Sequence, residues 1–171
     1  MNLLFESMVD DKGAIFSDCG KYRYCLWRVW DSSKPMVMCI GLNPSKATKI
    51  KPDPTITRVI DLTKSSGYGG FYMMNLFAFI TPYPKELKKC IDPLGDNNKW
   101  LTDITGKCSD VVFCWGAFNI LSLVVRFKER VEFMIEMFPD AYCFGYTKGG
   151  EPRHPLMLKK HTPLIRFNSN R

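Results

Sequence analysis

The stretch MVMCIGLNPS, Met36–Ser45, decides how this chain is read. Its first half is short, uncharged and rich in strand formers, the pattern of a strand buried on both faces. The run breaks at Gly41, where the missing side chain permits close backbone approach. Pro44 fixes its own φ and biases Asn43 towards an extended shape. Asn43 therefore stands on stiff backbone where the chain leaves a sheet. In open α/β sheets, ligands bind outside the carboxyl ends of the strands. An Asx turn at an ordinary strand–loop junction is the plainer alternative.

Outward from this stretch, helix and strand patterns alternate. Residues 13–30 predict a hairpin that turns at Asp18–Gly20, with partial alternation at Tyr22, Tyr24, Leu26 and Val29. Residues 54–66 open on Pro54 and place apolar side chains at Ile56, Val59, Ile60 and Leu62; they predict a helix stopped by Gly67. The segment GFYMMNLFAF, Gly70–Phe79, predicts a second buried strand that leaves the sheet at Asn75. Residues 96–107 predict a helix feeding the strand DVVFCWG, Asp110–Gly116, and residues 117–137 predict one long helix or two. AYCFGYT, Ala141–Thr147, predicts a fourth core strand; the rest, with Pro152, Pro155 and Pro163, predicts loop. The expected fold is a single α/β domain over residues 1–171. It is a three-layer sandwich with a mostly parallel central sheet and an N-terminal antiparallel hairpin at its edge.

Composition narrows the chemistry. The 171 residues, 46% of them hydrophobic, suffice for one substantial core. No apolar run approaches the ~20 residues of a membrane span. The N-terminal MNLLFESMVDDKG lacks a basic start and acquires acids early, unlike a secretory signal. Seven cysteines, scattered and without Cys-x-x-Cys spacing, predict free thiols in a reducing cytoplasm rather than disulfides, zinc or an iron–sulfur cluster. With two histidines, a His-rich metal site is not expected. The net charge of +7 favours a polyanionic partner, although a merely soluble basic protein has the same total. Distribution adds weight: between Lys148 and Arg171 six basic residues face one acid, Glu151, and Lys46, Lys49 and Lys51 follow directly on Asn43.

Four motifs stand at the ends of the four core strands: GLNPS (41–45), the Asn of YMMNLFAFIT (72–81), CWG (114–116) and GYTKGGEPRHPL (145–156). In this order the chain resembles the uracil-DNA glycosylase superfamily over roughly residues 36–160. Those enzymes carry Gly-x-Asp/Asn-Pro after the first core strand, a base-reading Asn after a later one, then Trp-Gly and His-Pro. More closely still, with DPTITR (53–58) and GYGGFYMMNLFA (67–78) added, the chain is similar to a bacterial and phage family catalogued as a domain of unknown function. Some relatives are expected to act in antiphage defence on heavily modified DNA.

The resemblance assigns roles residue by residue. It implies that the Asn43 carboxamide orients a water towards an oxocarbenium-like sugar, a positioning task rather than strong base catalysis. Asn75 presents donor and acceptor in one plane, suited to the edge of a flipped pyrimidine. A neutral or protonated His154 can donate to the leaving base. Asp53 is the one carboxylate near enough in sequence to substitute as base, and helix capping explains it equally well. Ser45, Phe77 and Tyr68 are expected to complete the base pocket, although the stacking aromatic is not at its usual place. Lys46, Lys49, Arg58, Lys148, Arg153, Lys159 and Lys160 are expected to contact DNA phosphates, or to form a solvated basic face. Leu156 or Leu158 is the expected wedge in the gap left by the flipped nucleotide, with core packing as the alternative.

One departure matters. Uracil-specific enzymes have Asp and then Tyr in the first motif; this chain has Asn43 and Ser45. The expected activity is therefore a monofunctional DNA glycosylase acting on a 5-modified pyrimidine, a glycosylated one included. It needs no metal or cofactor, and the protein is expected to be a monomer. A hydrolase of free modified nucleotides and a non-catalytic DNA- or nucleotide-binding module are the alternatives.

Overall fold

The computed structural model describes residues 11–117 and 124–169. Seven strands form one sheet: β1 Lys12–Phe16, β2 Arg23–Val29, β3 Met36–Gly41, β4 Gly70–Asn75, β5 Asp110–Phe113, β6 Tyr142–Cys143 and β7 Ile165–Arg166. Among the described residues three α-helices accompany them: α1 Pro54–Ser65, α2 Asn97–Thr105 and α3 Val124–Met137. Short 3-10 helices span Pro84–Lys88 and Pro155–Met157. The strand order is β1-β2-β4-β3-β5-β6-β7.

Period-two alternation builds the layers. Met38 and Ile40 of β3, Tyr72 and Met74 of β4 and Phe113 of β5 join one core with Trp100, Leu101 and Ile104 of α2 and Phe127 and Met134 of α3. Their neighbours Val37, Cys39, Phe71, Met73 and Val112 face the opposite core with Ile56, Val59 and Leu62 of α1. The fold is thus α/β with helices on both faces, and strands covered on both sides read as continuous apolar runs. Helix α1 starts where Asp53 Oδ1 accepts the Ile56 amide at 2.8 Å and Pro54 follows at the first helical position. Gly67, at φ +89, lies just past its end.

The sheet is mixed, and the expectation of a mostly parallel one is corrected. β3 pairs parallel with β4 and β5, and β5 with β6, but β1–β2, β2–β4 and β6–β7 are antiparallel. The extra antiparallel pair comes from β7, in the tail expected to be loop; Ile165 pairs with Cys143 and Arg166 with Tyr142. Strand β4 ends at Asn75, where the chain was expected to leave the sheet, but two expected strands are shorter: β5 ends at Phe113 and β6 at Cys143. Gly116 and Gly145, both at positive φ, turn the backbone out of the ladder beyond β5 and β6. Of the helix expected over 117–137, residues 118–123 lie outside the described residues, and α3 runs from Val124.

Central β3 lies between β4 and β5. The chain leaves β3 through α1 to reach β4 on one side and returns through α2 to reach β5 on the other. That reversal is the topological switch point of the sheet, and the crevice outside the carboxyl ends of these strands opens there.

Candidate active site

The loop after β3 is fixed from several sides. Asn43 Nδ2 donates to the Thr81 carbonyl at 2.8 Å and to the Pro44 carbonyl at 3.0 Å, while the Thr81 amide donates back to the Pro44 carbonyl at 3.0 Å. Two carbonyls on one side dictate which way the carboxamide points, so Oδ1 is its remaining acceptor. Asn43 is thus a cross-strand clamp rather than the Asx turn considered as the plainer alternative. Beneath the loop lie two buried arginines of β2. Arg23 Nη1 donates to the Ala47 carbonyl at 2.7 Å and Arg28 Nη2 to the Thr48 carbonyl at 3.2 Å.

At the end of β4 Asn75 is only 3% exposed, and its Nδ2 has no hydrogen-bond partner among the described residues. A buried donor left open is costly unless something else satisfies it. Its neighbour in the register is Gly41, where a Cβ would lie 2.9 Å from Asn75 Oδ1. The absence of that Cβ explains the glycine: it makes room for the carboxamide. Asn97 Nδ2 donates to the Asn75 carbonyl at 2.9 Å, and Arg130 Nε to the Leu76 carbonyl at 2.6 Å, fixing the strand end from behind.

The Trp-Gly pair beyond β5 holds the loop that carries His154. Trp115 Nε1 donates to Glu151 Oε2 at 2.8 Å, and the Gly116 amide donates to the Pro152 carbonyl at 2.9 Å. Gly116 has φ +81, and a Cβ there would meet His154 Cβ at 2.9 Å. His154 Nδ1 accepts the Leu156 amide at 3.2 Å. Burial lowers the His154 pKa, against an opposing pull from the Asp53 charge. The imidazole is therefore neutral at neutral pH, with its proton on Nε2 because Nδ1 is an acceptor.

These ends enclose a cavity of about 610 Å3, within the range of small-molecule sites. Asn43, Ser45, Asp53, Asn75 and His154 all line it. Asp53 caps α1 through Oδ1, as the capping alternative foresaw, and the residue also lines the cavity. Two lining residues escape sequence reasoning. Arg23, 3% exposed, reads as an ordinary polar position in a hairpin strand. Tyr83, 58% exposed at the rim, stands in a Pro-rich segment that carries no periodic signal.

Other assignments are corrected. Tyr68 lies before β4, at the amino ends of the strands and so away from the cavity, where its hydroxyl donates to Asp110 Oδ2 at 2.9 Å. Phe77, expected in the base pocket, is buried in the α2–α3 core, and Leu158, one of the two expected wedges, is buried in the α1 core as its packing alternative had it; neither lines the cavity. Leu156, 46% exposed, keeps that wedge position open. Arg58 and Lys160 both pair with Asp61, at 3.8 and 3.5 Å, which reduces the charge they present. Lys46, Lys49, Lys148, Arg153 and Lys159 are exposed. All seven cysteines are free, four of them buried, while Cys19 is exposed and Cys90 and Cys108 are partly so. Among the described residues no His/Cys/Asp/Glu group could hold a metal ion, and no helix is long and apolar enough to cross a membrane.

A family model described as "Protein of unknown function (DUF1643)" matches residues 23–156, a span that contains every residue lining the cavity, from Arg23 to His154. No curated protein and no solved structure matches the chain.

Proposed function

We propose that this chain, which belongs to the family described as Protein of unknown function (DUF1643), is a monofunctional DNA glycosylase. It hydrolyses the bond between deoxyribose and a flipped, 5-modified pyrimidine. One observation carries the reading: Asn43, Asn75 and His154, from three separate motifs, line one cavity at the switch point of the sheet. Asn43 Oδ1 is free to hold the attacking water. Asn75 offers a buried, unpartnered donor to the edge of the base. Neutral His154 offers Nε2–H to the charge that develops on the leaving group; fixed donors in a dry site stabilise such charge strongly. The ordered motifs shared with the uracil-DNA glycosylase superfamily support the same assignment.

Tyr83 stacks the extruded base at the rim, and Leu156 fills the gap in the duplex. The net charge of +7 provides sequence-independent attraction to the backbone. The free thiols favour the reducing cytoplasm, where modified phage DNA would be met.

The test is incubation with duplex and single-stranded DNA containing uracil, thymine or bulkier 5-substituted pyrimidines, including natural modified phage DNAs. Free base is measured by mass spectrometry and abasic sites by mild alkali. Released base without a borohydride-trapped adduct fits a monofunctional enzyme, the trap excluding a Schiff base on rim residue Lys85. Activity on free nucleotides alone, or binding without release across the panel, overturns the reading.

A further inference from the structure

Arg23 makes no ion pair among the described residues, although the Asp53 charge acts on it. Its side chain is buried on β2 and lines the cavity; Nη1 is used by the Ala47 carbonyl, and Nε has no partner among the described residues. Asp53 faces the same cavity, but it caps α1 instead. A guanidinium taken out of water without a contacting anion is costly, so such a group marks a place where an anion binds. Burial lowers its pKa only to about 10, with Asp53 pulling it back up, so it stays charged at neutral pH. The second unpartnered buried donor in this cavity, Asn75 Nδ2, also calls for an acceptor. The other charged or titratable lining groups are Asp53, Lys85, Tyr83 and His154, with Arg28 behind Arg23.

We propose that Arg23 is the counter-charge for an anionic, planar heterocycle held in this cavity: the pyrimidine base in its ionised form. This rests on the glycosylase reading for the identity of the anion. When the glycosidic C–N bond breaks, both its electrons stay on the base nitrogen and the sugar becomes an oxocarbenium ion. Water adds to the sugar carbon, its surplus proton is released, and the base takes up a proton on leaving. Arg23 supplies the full positive charge that neutral His154 lacks, and it is a catalytic residue that the shared motifs do not contain.

Isothermal titration calorimetry with barbiturate, an anion at neutral pH, and uracil, a neutral ring of the same size, tests this without turnover. Wild type should bind barbiturate about tenfold or more tightly than uracil, and Arg23→Gln should lose that preference while its uracil affinity stays within about threefold. Arg23→Lys should keep part of it. Equal wild-type affinities, no measurable barbiturate binding, or a preference that survives Arg23→Gln overturns the proposal. Should Arg23→Gln fail to fold for want of its bond to Ala47, wild type decides alone. Its affinity for 5-fluorouracil should rise as pH passes through that ligand's own ionisation, and a flat profile overturns the proposal. Anion preference without base release from DNA removes only the glycosylase reading; base release without anion preference removes only the role of Arg23.

Discussion

Asn43 Nδ2 lies 2.8 Å from the carbonyl oxygen of Thr81, a residue 38 positions further along the chain. That bond ties the loop leaving β3 to the loop leaving β4, and it decides which face of the carboxamide meets the cavity. Asn43→Ala should therefore lower turnover by ~10²-fold or more, with DNA affinity changed only a few-fold, as for loss of a positioning group. Single-turnover base release and fluorescence anisotropy separate the two effects. Wild-type turnover in the variant removes Asn43 from the mechanism.

The lowered pKa of His154 gives a pH signature. The neutral ring is the donor at Nε2, and its protonation at Nδ1 sets two N–H groups, its own and that of Leu156, against each other. The acid limb of kcat/KM should lie below the ordinary value of 6.5. Stability follows the same sign: below 6.5 the unfolded chain takes the proton more readily than the folded one, so stability present above that value is lost as pH falls through the depressed one. His154→Ala should abolish the limb and cost about 10²-fold in rate. A pH–rate profile identical in the two proteins would falsify the assignment.

Ser45 lines the cavity, and the proposed likeness to uracil-specific enzymes would set it where they carry Tyr. Ser45→Tyr should suppress release of a bulky 5-substituted base while sparing small ones, measured as the ratio of kcat/KM for the two. If wild type removes plain uracil alone and the variant behaves identically, the cavity does not select by that residue.

Gly116 combines φ +81 with a Cβ position 2.9 Å from His154 Cβ. Gly116→Ala meets both the left-handed backbone cost, roughly 1–2 kcal/mol, and displacement of the His154 imidazole. Thermal denaturation should show that loss, and base release should fall further than stability alone explains. Unchanged melting and activity would mean that the loop relaxes without harm.

DNA affinity should fall steeply with salt. Lys159 is exposed and has no acid partner among the described residues, whereas Asp61 holds Lys160, so Lys159 should contribute the larger share of that slope. Lys159→Ala should flatten it by about one phosphate contact, and Lys160→Ala by less. Equal effects, or none from either, place the pair away from the DNA backbone.

What the sequence by itself determined is local. The apolar run before Gly41 makes β3, Asp53-Pro54 starts α1, and the motifs put Asn43 and Asn75 at strand ends, because each signal lies within a few residues of its effect; His154 is brought to them by the bonds of Trp115 and Gly116 to its loop. Strand order, burial and direction were decided only by tertiary structure. Arg23 is buried because β2 is inserted between β1 and β4 with the Ser45–Asp53 loop above it, a pairing of residues distant in the chain. Tyr68 went to the amino ends of the strands, away from the site, because it precedes its strand rather than follows it. Ile165–Arg166 became a strand because β6 offered an open edge, and such an edge takes its partner through backbone hydrogen bonds that leave almost no mark in side-chain pattern.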